Sequence, residues 1–318
     1  MEINKVKFRQ EGESSHYLGI NIGGTTSSLV VGDALGGLKK QVSWPTVEAS
    51  SPGAAVAAIV EQARSFKVTF PLEAAGVAIG GPLDTRAGVV LGPPNLPGWE
   101  RVSLKADLEE ALNLPVRVAH DAAACALAEA RFGEFRGAAS LVYLTCGTGF
   151  GAGVVLNGVI LEGAVGVHPE IGHWRLREDG PVAFGRPGSA EAFCSGPALS
   201  RIAAWRHPVR WAGRPPEPWA VSELAGQGDA MALDVVEFHA MMTGRVCAMV
   251  AELLCPETIL LGSLARHMGP LWVEPVIRHY REEVLDRVGA TVTVAPATLG
   301  ERLQDLSALV VAMEGIRG

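Results

Sequence analysis

One short pattern occurs twice in this chain: a strand rich in apolar residues, a turn of glycine and threonine, and a returning strand. The first copy joins the extended runs 17–22 and 28–31 through Gly23-Gly24-Thr25-Thr26. The second joins 140–145 and 152–156 through a glycine-rich turn about 125 residues further on. A repeat of this kind predicts a duplicated α/β fold in which each half presents one turn to a shared cleft.

Both turns suit phosphate binding, because glycine lets backbone N–H groups approach phosphate oxygens with no Cβ in the way. The second turn contains Gly147-Thr148-Gly149. Either turn alone is also compatible with an ordinary hairpin. A dinucleotide-binding fingerprint is disfavoured, since that motif opens a helix and here the chain returns as a strand. The sequence G-x-x-x-x-G-K-[ST] does not occur.

A second feature is the junction at Asp121, where the run Val116 to Val118 ends and an alanine-rich helix begins. Such an Asp can cap the helix by accepting backbone N–H bonds. Open α/β sheets also bind ligands outside the carboxyl ends of their strands, where this junction falls. A carboxylate with one oxygen free can take a proton from a substrate hydroxyl, so capping and catalysis are compatible.

Other polar residues follow in loops that glycine and proline shape. Residues 163–174 contain His168, Glu170 and His173, and Glu191 opens the next predicted helix. Asn95 lies in a proline-rich loop. Each has a structural alternative: a satisfied loop side chain, a first-turn acid or a turn residue. Taken together with the two turns, they describe a polyol that faces a nucleotide.

Bulk composition narrows the class of protein. The chain has 318 residues and a net charge of −7, so nucleic acid and anionic membranes are not expected as partners. The five cysteines are never spaced C-x-x-C, which fits a reducing cytoplasm. Residues 1–16 are predicted to be a disordered tail without an export signal. We expect residues 210–218, rich in Trp, Arg and Pro, to form an insertion loop or lid.

The motifs quoted above resemble the ROK family of sugar kinases and sugar-responsive repressors, its bacterial glucokinases in particular. Further matches are 94–99, Glu170-Ile171-Gly172-His173 and 256–262. The resemblance implies an α/β fold with two actin-like ATPase (RNase H-like) domains and an interdomain cleft. The expected domains are 17–120, joined by a C-terminal helix 300–318, and a larger one, 121–299.

The resemblance also assigns roles around ATP, Mg²⁺ and a hexose such as glucose. Asp121 would be the base for the sugar 6-hydroxyl. The residues expected to contact the sugar are Asn95, His120, Asp121, Glu170, His173 and Glu191. The residues expected to contact the nucleotide are Gly23, Gly24, Thr25, Thr26, Gly147, Thr148, Gly149, Gly262 and Ser263. We further expect a homodimer.

Four departures from the family pattern affect these expectations. The family's zinc-binding cysteines are replaced throughout 182–191, so we predict no structural zinc and expect Val182 and Phe184 to hold the loop by apolar packing. Asn21 stands where the family has an Asp that helps to place magnesium. His120 replaces an Asn that touches a sugar hydroxyl, and Gly262-Ser263 replaces a glycine-rich nucleotide turn.

Because of these departures, alternative functions stay open. The substrate is a hexose, an amino sugar or a cyclitol, and the donor is ATP, another nucleotide or polyphosphate. A non-catalytic sugar sensor would suit Asn21 and the altered Gly262 turn. A repressor needs a helix-turn-helix arm ahead of the first turn, where only about sixteen polar residues stand.

Overall fold

The computed structural model describes residues 15–46, 51–163 and 166–314. Within these ranges, the first sheet has five strands: β1 (His16–Ile22), β2 (Thr26–Asp33), β3 (Leu38–Pro45), β4 (Leu72–Ile79) and β8 (Val116–His120). Their order is β3-β2-β1-β4-β8. The strands β1, β2 and β3 are antiparallel neighbours, whereas β4 and β8 run parallel to β1.

The second sheet repeats this arrangement. Its strands in the described part of the chain are β9 (Ser140–Leu144), β10 (Ala152–Leu156), β11 (Val159–Ile160), β14 (Thr258–Leu261) and β15 (Thr293–Pro296). The order is β11-β10-β9-β14-β15, with the hairpin strands antiparallel and β14 and β15 parallel to β9. The two turns therefore occupy equivalent places, after β1 and after β9, as the repeated sequence pattern predicted.

Two helices lie between the sheets, α3 (Asp121–Phe132) and α12 (Leu303–Glu314). Glycines let both helices approach the strands closely. A Cβ on Gly153 of β10 would come within 1.9 Å of the Ala122 carbonyl oxygen, and one on Gly76 of β4 within 2.1 Å of the Ala312 nitrogen. A side chain at either position would push a helix away from its sheet. These contacts bring the start of α3 to the edge of both sheets.

The remaining helices cover the outer faces. On the first sheet these are α1 (Pro52–Lys67) and α2 (Leu104–Leu112). With the second sheet lie α4 (Ala190–Cys194), α5 (Ala198–Arg206), α6 (Pro208–Trp211), α7 (Pro218–Gly226), α8 (Ala230–Leu254), α9 (Ser263–Met268), α10 (Pro270–Glu283) and α11 (Asp286–Gly289).

Two small sheets and two 3-10 turns complete the described elements. The small sheets are β5 (Leu83–Asp84) with β6 (Val89–Leu91) and β7 (Glu100–Val102), and β12 (Val182–Ala183) with β13 (Arg186–Pro187). The 3-10 turns are Ile171–His173 and Gly300–Arg302. In the described ranges, no helix is both long enough and apolar enough to pass through a lipid bilayer.

Some predicted boundaries shift. Of the predicted tail, residues 1–14 lie outside the described residues, and His16 already belongs to β1, where it pairs with Asp33 and its ring contacts Phe70. The predicted last helix begins at Leu303 after a 3-10 turn, and its residues 315–318 lie outside the description. The division into domains 17–120 and 121–299 stays a prediction.

The predicted lid at 210–218 is wrong in one respect, because part of it belongs to the core. Trp211 ends α6 and is only 6% exposed. It packs in the hydrophobic core between the second sheet and the helices that cover it, called the second core below. Arg210 is held by Asp229 at 2.8 Å. An indole that is buried and flanked by an ion pair anchors its segment, so this part of the chain does not form a free flap.

Candidate functional site

The junction between β8 and α3 places Asp121 at the first position of the helix. The N-cap is His120 rather than Asp121, one residue earlier than predicted, because His120 has extended backbone angles and Asp121 is already helical. The Ala122 N–H donates to Asp121 Oδ1 at 2.6 Å and lies 3.3 Å from His120 Nδ1. The other carboxyl oxygen, Oδ2, faces Gly80 at the end of β4. Asp121 is 46% exposed, so this oxygen is open to a substrate.

Asp121 lies in a cleft of about 530 Å³ that both glycine turns border. A cavity of about 910 Å³ lies elsewhere, beside Arg131 and Arg136 near the end of α3, but the turns and carboxylates converge only on the cleft among the described cavities. The predicted residues that line the cleft are Gly24, Thr25, Asn95, His120, Asp121, Gly147, Thr148, Gly149, Glu170, Glu191 and Ser263.

The first turn is held from the end of β3. The Gly23 N–H donates to the Thr26 carbonyl at 3.1 Å, and Thr46 Oγ1 donates to the Gly23 carbonyl at 2.6 Å. Thr46 also donates its N–H to the Thr25 carbonyl. Gly23 and Thr26 thus support the turn from behind instead of lining the cleft. A Cβ on Gly24 would come within 2.8 Å of the Asn95 side chain, so this turn touches the predicted sugar side directly.

The second turn is held by Thr145, the residue after β9. Thr145 Oγ1 accepts from the Gly151 N–H at 2.9 Å and donates to the Gly149 carbonyl at 3.2 Å. The Gly147 N–H donates to the Gly149 carbonyl at 3.0 Å, so it is engaged within the turn. Phosphate contacts therefore fall to other N–H groups, and Gly149 and Thr148 are the exposed candidates.

The third predicted nucleotide segment packs against the second turn. Gly262 donates its N–H to the Leu144 carbonyl at 2.8 Å, and a Cβ there would come within 2.2 Å of the Thr145 carbonyl oxygen. Only glycine fits this approach, which buries Gly262 below the cleft floor. Ser263 follows it, and its hydroxyl faces Gly147 and the cleft.

On the opposite side of the cleft, Glu191 and Glu170 present two differently placed carboxylates. Glu191 is 7% exposed on α4 and accepts the Phe150 N–H at 2.5 Å. Burial raises the pKa of Glu191, against smaller lowering effects from the Phe150 N–H, Ser195, Arg201 and His173. Glu170 is exposed and borders the cleft. The cleft thus contains one buried carboxylate, Glu191, and one exposed to water, Glu170.

His173 is the predicted sugar residue that the structure does not bring into the cleft. It borders a neighbouring cavity of about 360 Å³, and its ring stacks on Phe184 at 4.2 Å. Phe184 borders both cavities. The expected apolar packing of the loop by Val182 and Phe184 is therefore wrong, because the two side chains are 57% and 54% exposed, although Phe184 keeps its ring contact with His173. Backbone bonds to Gly188 fix the loop instead.

Behind His120 lies a second imidazole, His168. The two rings are 5.1 Å apart, and His168 is 7% exposed. Burial lowers the pKa of His168 to about 4, with His120 lowering it further and Asp121 acting in the opposite direction. His168 is therefore neutral at physiological pH. Its ring nitrogens have no hydrogen-bond partner among the described residues.

Sequence reasoning missed several residues that line the cleft: Gly80, Cys125, Tyr143, Thr145, Phe150, Pro169, Phe184 and Gln304. Gln304 comes from α12, and its Oε1 accepts from Asn21 Nδ2 at 3.2 Å. Thr145 had a local signal, a hydroxyl directly before a glycine turn. Gln304 had none, because only the packing of α12 brings it to the cleft.

The donors in the cleft suit one kind of metal ion. Mg²⁺ is held in proteins by one or two carboxylates together with water and substrate phosphates. Thr25, Thr148 and Ser263 offer hydroxyl oxygens on the nucleotide side, so Mg²⁺ that arrives with a nucleotide would be held mainly by its phosphates and water, with the Asp121 carboxylate nearby. Among the residues that the structure describes, no three His, Cys, Asp or Glu side chains are grouped to hold a metal ion. The lack of a structural zinc stays a prediction.

The sequence of this chain is similar to those of known sugar kinases. The model of the ROK family matches residues 17–312. Glucokinase of Halalkalibacterium halodurans is 30% identical over 307 residues, which cover 89% of this chain and 91% of the relative. Kanosamine kinase of Amycolatopsis mediterranei is 32% identical over 296 residues, 90% of this chain and 92% of the relative.

A solved structure extends the comparison to three dimensions. The crystal structure of a ROK family glucokinase from Streptomyces griseus, in complex with glucose and AMPPNP, matches with a TM-score of 0.78 and 29% identity. The match covers 94% of this chain and 100% of that one. The predicted α/β fold of actin-like ATPase type is thereby confirmed. The enzyme class follows as well: a phosphotransferase with an alcohol acceptor, of the hexokinase type. The chain belongs to the ROK family.

Proposed function

We propose that this sugar kinase transfers the γ-phosphate of ATP to the 6-hydroxyl of a hexose, glucose in the simplest case. The observation that carries the proposal is the position of Asp121, half exposed in a cleft that both glycine turns border. The Streptomyces griseus relative, which holds glucose and AMPPNP together, supports the choice of ligands.

The sugar side of the cleft is rich in hydrogen-bonding groups. Asn95, Glu170 and Glu191 offer one amide and two carboxylates, which suit the vicinal hydroxyls of a hexose. His120 adds an imidazole beside the base. We assign His173 an indirect role, because its ring stacks on Phe184 and borders the neighbouring cavity. Holding the ring in one orientation aligns the 6-hydroxyl with the phosphate.

The nucleotide side consists of the two turns and Ser263. Backbone N–H groups of Gly24, Thr25, Thr148 and Gly149 are the candidates for phosphate contacts, since those of Gly23 and Gly147 bond within their turns. Fixed N–H dipoles stabilise the charge that develops on the transferred group. When bound with the nucleotide, Mg²⁺ would supply further neutralisation of that charge.

In the reaction, Asp121 accepts the proton of the attacking hydroxyl on its Oδ2 atom. The hydroxyl oxygen bonds to the γ-phosphorus as the bond to the bridging β,γ-oxygen breaks, and ADP leaves. The Ala122 N–H on Oδ1 keeps the carboxylate oriented during this step. General-base catalysis of this kind contributes about 10²–10⁴-fold.

The test is Asp121→Asn, assayed for turnover and for sugar binding. We expect turnover to fall about 10²–10⁴-fold while the sugar Kd stays within about threefold, because the amide keeps the shape and loses the basic oxygen. Glu170→Gln serves as a matched control at the same cleft, where the main change should be in KM. Turnover of Asp121→Asn within tenfold of the parent would reject the assignment.

A second substrate class has its own support. His120 lies in the cleft with His168 behind it, and the relative from Amycolatopsis mediterranei is a kanosamine kinase. We therefore include amino sugars and cyclitols, with other nucleotides and polyphosphate as donors, in a coupled-assay panel. The substrate with the highest kcat/KM identifies the class.

Sugar binding without nucleotide binding in calorimetry would favour a non-catalytic sensor. A homodimer and a cytoplasmic location stay predictions.

A further inference from the structure

A buried chain of hydrogen bonds leads from the far side of the second core to the second glycine turn. Trp272 on α10 donates its Nε1–H to His239 Nδ1 on α8 at 2.9 Å. His239 Nε2 lies 3.0 Å from the Ser195 carbonyl oxygen. The N–H of the same peptide unit, at Gly196, donates to the Gly147 carbonyl at 2.7 Å. The side chains of Trp272 and His239, and Ser195, are fully buried.

The donors and acceptors of these groups determine the direction of each hydrogen bond in the series. An indole N–H only donates, so His239 Nδ1 must be the bare nitrogen. Its Nε2 therefore carries the proton and donates to the Ser195 carbonyl. Burial lowers the pKa of His239 to about 4, which agrees with a neutral ring at physiological pH. Bonds that point in one direction polarise and strengthen one another in a buried site.

The Ser195–Gly196 peptide unit joins two parts of the proposed active site. Ser195 Oγ donates to the Glu191 carbonyl at 2.8 Å, which fixes the short helix that carries the buried sugar-side carboxylate. Gly196 approaches the second turn so closely that a Cβ would come within 2.9 Å of the Gly147 oxygen. Ser195 therefore bonds the sugar-side helix through its hydroxyl, and the peptide unit that it forms with Gly196 bonds the nucleotide-side turn.

We propose that His239 is a positioning residue that couples sugar binding at Glu191 to nucleotide binding at the Gly147 turn, through its bond to the Ser195–Gly196 peptide. The inference rests on the proposed function, since it takes Glu191 as a sugar contact and the turn as a phosphate contact. If both ligands rely on this one peptide unit, the ligand that binds first restricts its remaining motion, and the second ligand then binds more tightly.

Two substitutions separate the bonds of His239. A glutamine places its amide near the position of Nε2 and keeps the donor to Ser195, whereas an asparagine reaches only the position of Nδ1 and keeps the acceptor for Trp272. The measurement is the sugar Kd with and without saturating AMPPNP, by calorimetry, on the best substrate of the panel. We expect at least fivefold tightening by AMPPNP in the parent and in His239→Gln, and less than twofold in His239→Asn.

A control separates coupling from a general loss of stability. Tyr280 is a buried member of the same core, and its hydroxyl donates to the Val292 carbonyl at 3.4 Å, remote from the cleft. Tyr280→Phe should lower Tm and leave the coupling unchanged. Should His239→Asn fail to fold, Gly196→Ala disturbs the same peptide from the other end and is expected to lose the coupling.

The outcomes keep the two proposals apart. No tightening in the parent, equal coupling in the Gln and Asn variants, or full coupling in Gly196→Ala would overturn the role of His239 and leave the kinase proposal intact. A parent that binds no sugar and transfers no phosphate would overturn the proposed function itself.

Discussion

The two glycine turns occupy equivalent places in their sheets but are held in different ways. Thr46 holds the first turn from the end of β3, an edge strand that is mostly exposed. The second turn is held by Thr145 from within and by Gly196 from the buried core. Segments with few buried contacts open locally at lower free energy than segments tied to a core.

Because the two turns are held differently, we expect them to move to different extents when ligands bind. The second turn, with Ser263 and the helix that carries Glu191, is tied to the core, so ligands have less motion to restrict there than in the first turn. The first turn touches Asn95 and is tied to the end of β3 by Thr46, so we expect it to move more than the second turn when sugar and nucleotide bind. Closure of a two-lobed cleft would then move the first turn towards the second turn. Small-angle scattering that stays unchanged with saturating substrates would contradict such closure.

The largest effect is expected from Thr145→Val in the second turn. Valine keeps the shape of the threonine side chain and removes its hydroxyl. The Gly151 N–H and the Gly149 carbonyl both lose their partner within the turn that carries the candidate phosphate contacts, and each lost bond costs about 0.5–1.5 kcal/mol. We expect kcat/KM for ATP to fall about tenfold to a hundredfold, with sugar Kd in the absence of nucleotide unchanged. An effect smaller than that of the equivalent change in the first turn would break the comparison.

The matched change in the first turn is Thr46→Val. It removes the bond to the Gly23 carbonyl and the contact with Ser27 Oγ at 2.9 Å. Because the backbone N–H at position 46 keeps its bond to the Thr25 carbonyl, the first turn retains one tie to the end of β3, and we expect kcat/KM for ATP to fall only about threefold to tenfold. Steady-state kinetics on the two valine variants give the ratio directly. Equal losses would mean that both turns are equally preformed.

Sequence reasoning succeeded where the signal is local. The helix α8, Ala230–Leu254, has such a signal, because a long apolar periodicity follows a cap at Asp229 that accepts from Met231 and Ala232. The two turns and the strand–helix junction at Asp121 were likewise predictable from the sequence, because glycine, threonine and an alanine-rich run mark them. These residues account for most of the predicted cleft.

What the sequence did not predict depends on tertiary contacts. The strand β3 was missed because an exposed edge strand with Lys39 and Lys40 lacks a buried alternation. Gln304 reaches the cleft only because α12 packs across the first sheet, and His173 is turned aside by a ring contact with Phe184. Neither contact has a signature in the local sequence, because the partners are not neighbours along the chain.

Asn21 allows a test of the first half alone. Its Nδ2 donates to Gln304 Oε1, and an aspartate there would add a negative charge beside the first turn, with the Gln304 amide flipped to donate. We expect Asn21→Asp to lower the Mg²⁺ concentration for half-maximal activity about threefold to fivefold, an effect of about 1 kcal/mol. Asn21→Ala, which removes the amide without adding charge, should not lower it. No change in Asn21→Asp would remove this position from the metal-binding half of the site.

The smallest expected effect concerns the second half, where Glu191 is buried and Glu170 is not. Burial raises the pKa of Glu191, so its ionised form destabilises the fold, and the cost is present above its folded pKa and absent below the ordinary pKa of glutamate. Glu191→Gln should therefore raise Tm by about 1–3 °C at pH 7–8, and the gain should vanish near pH 4. Thermal melts across this range measure it. Glu170→Gln, at an exposed position, should show no such gain, and a gain that persists at pH 4 would assign the effect to packing instead of charge.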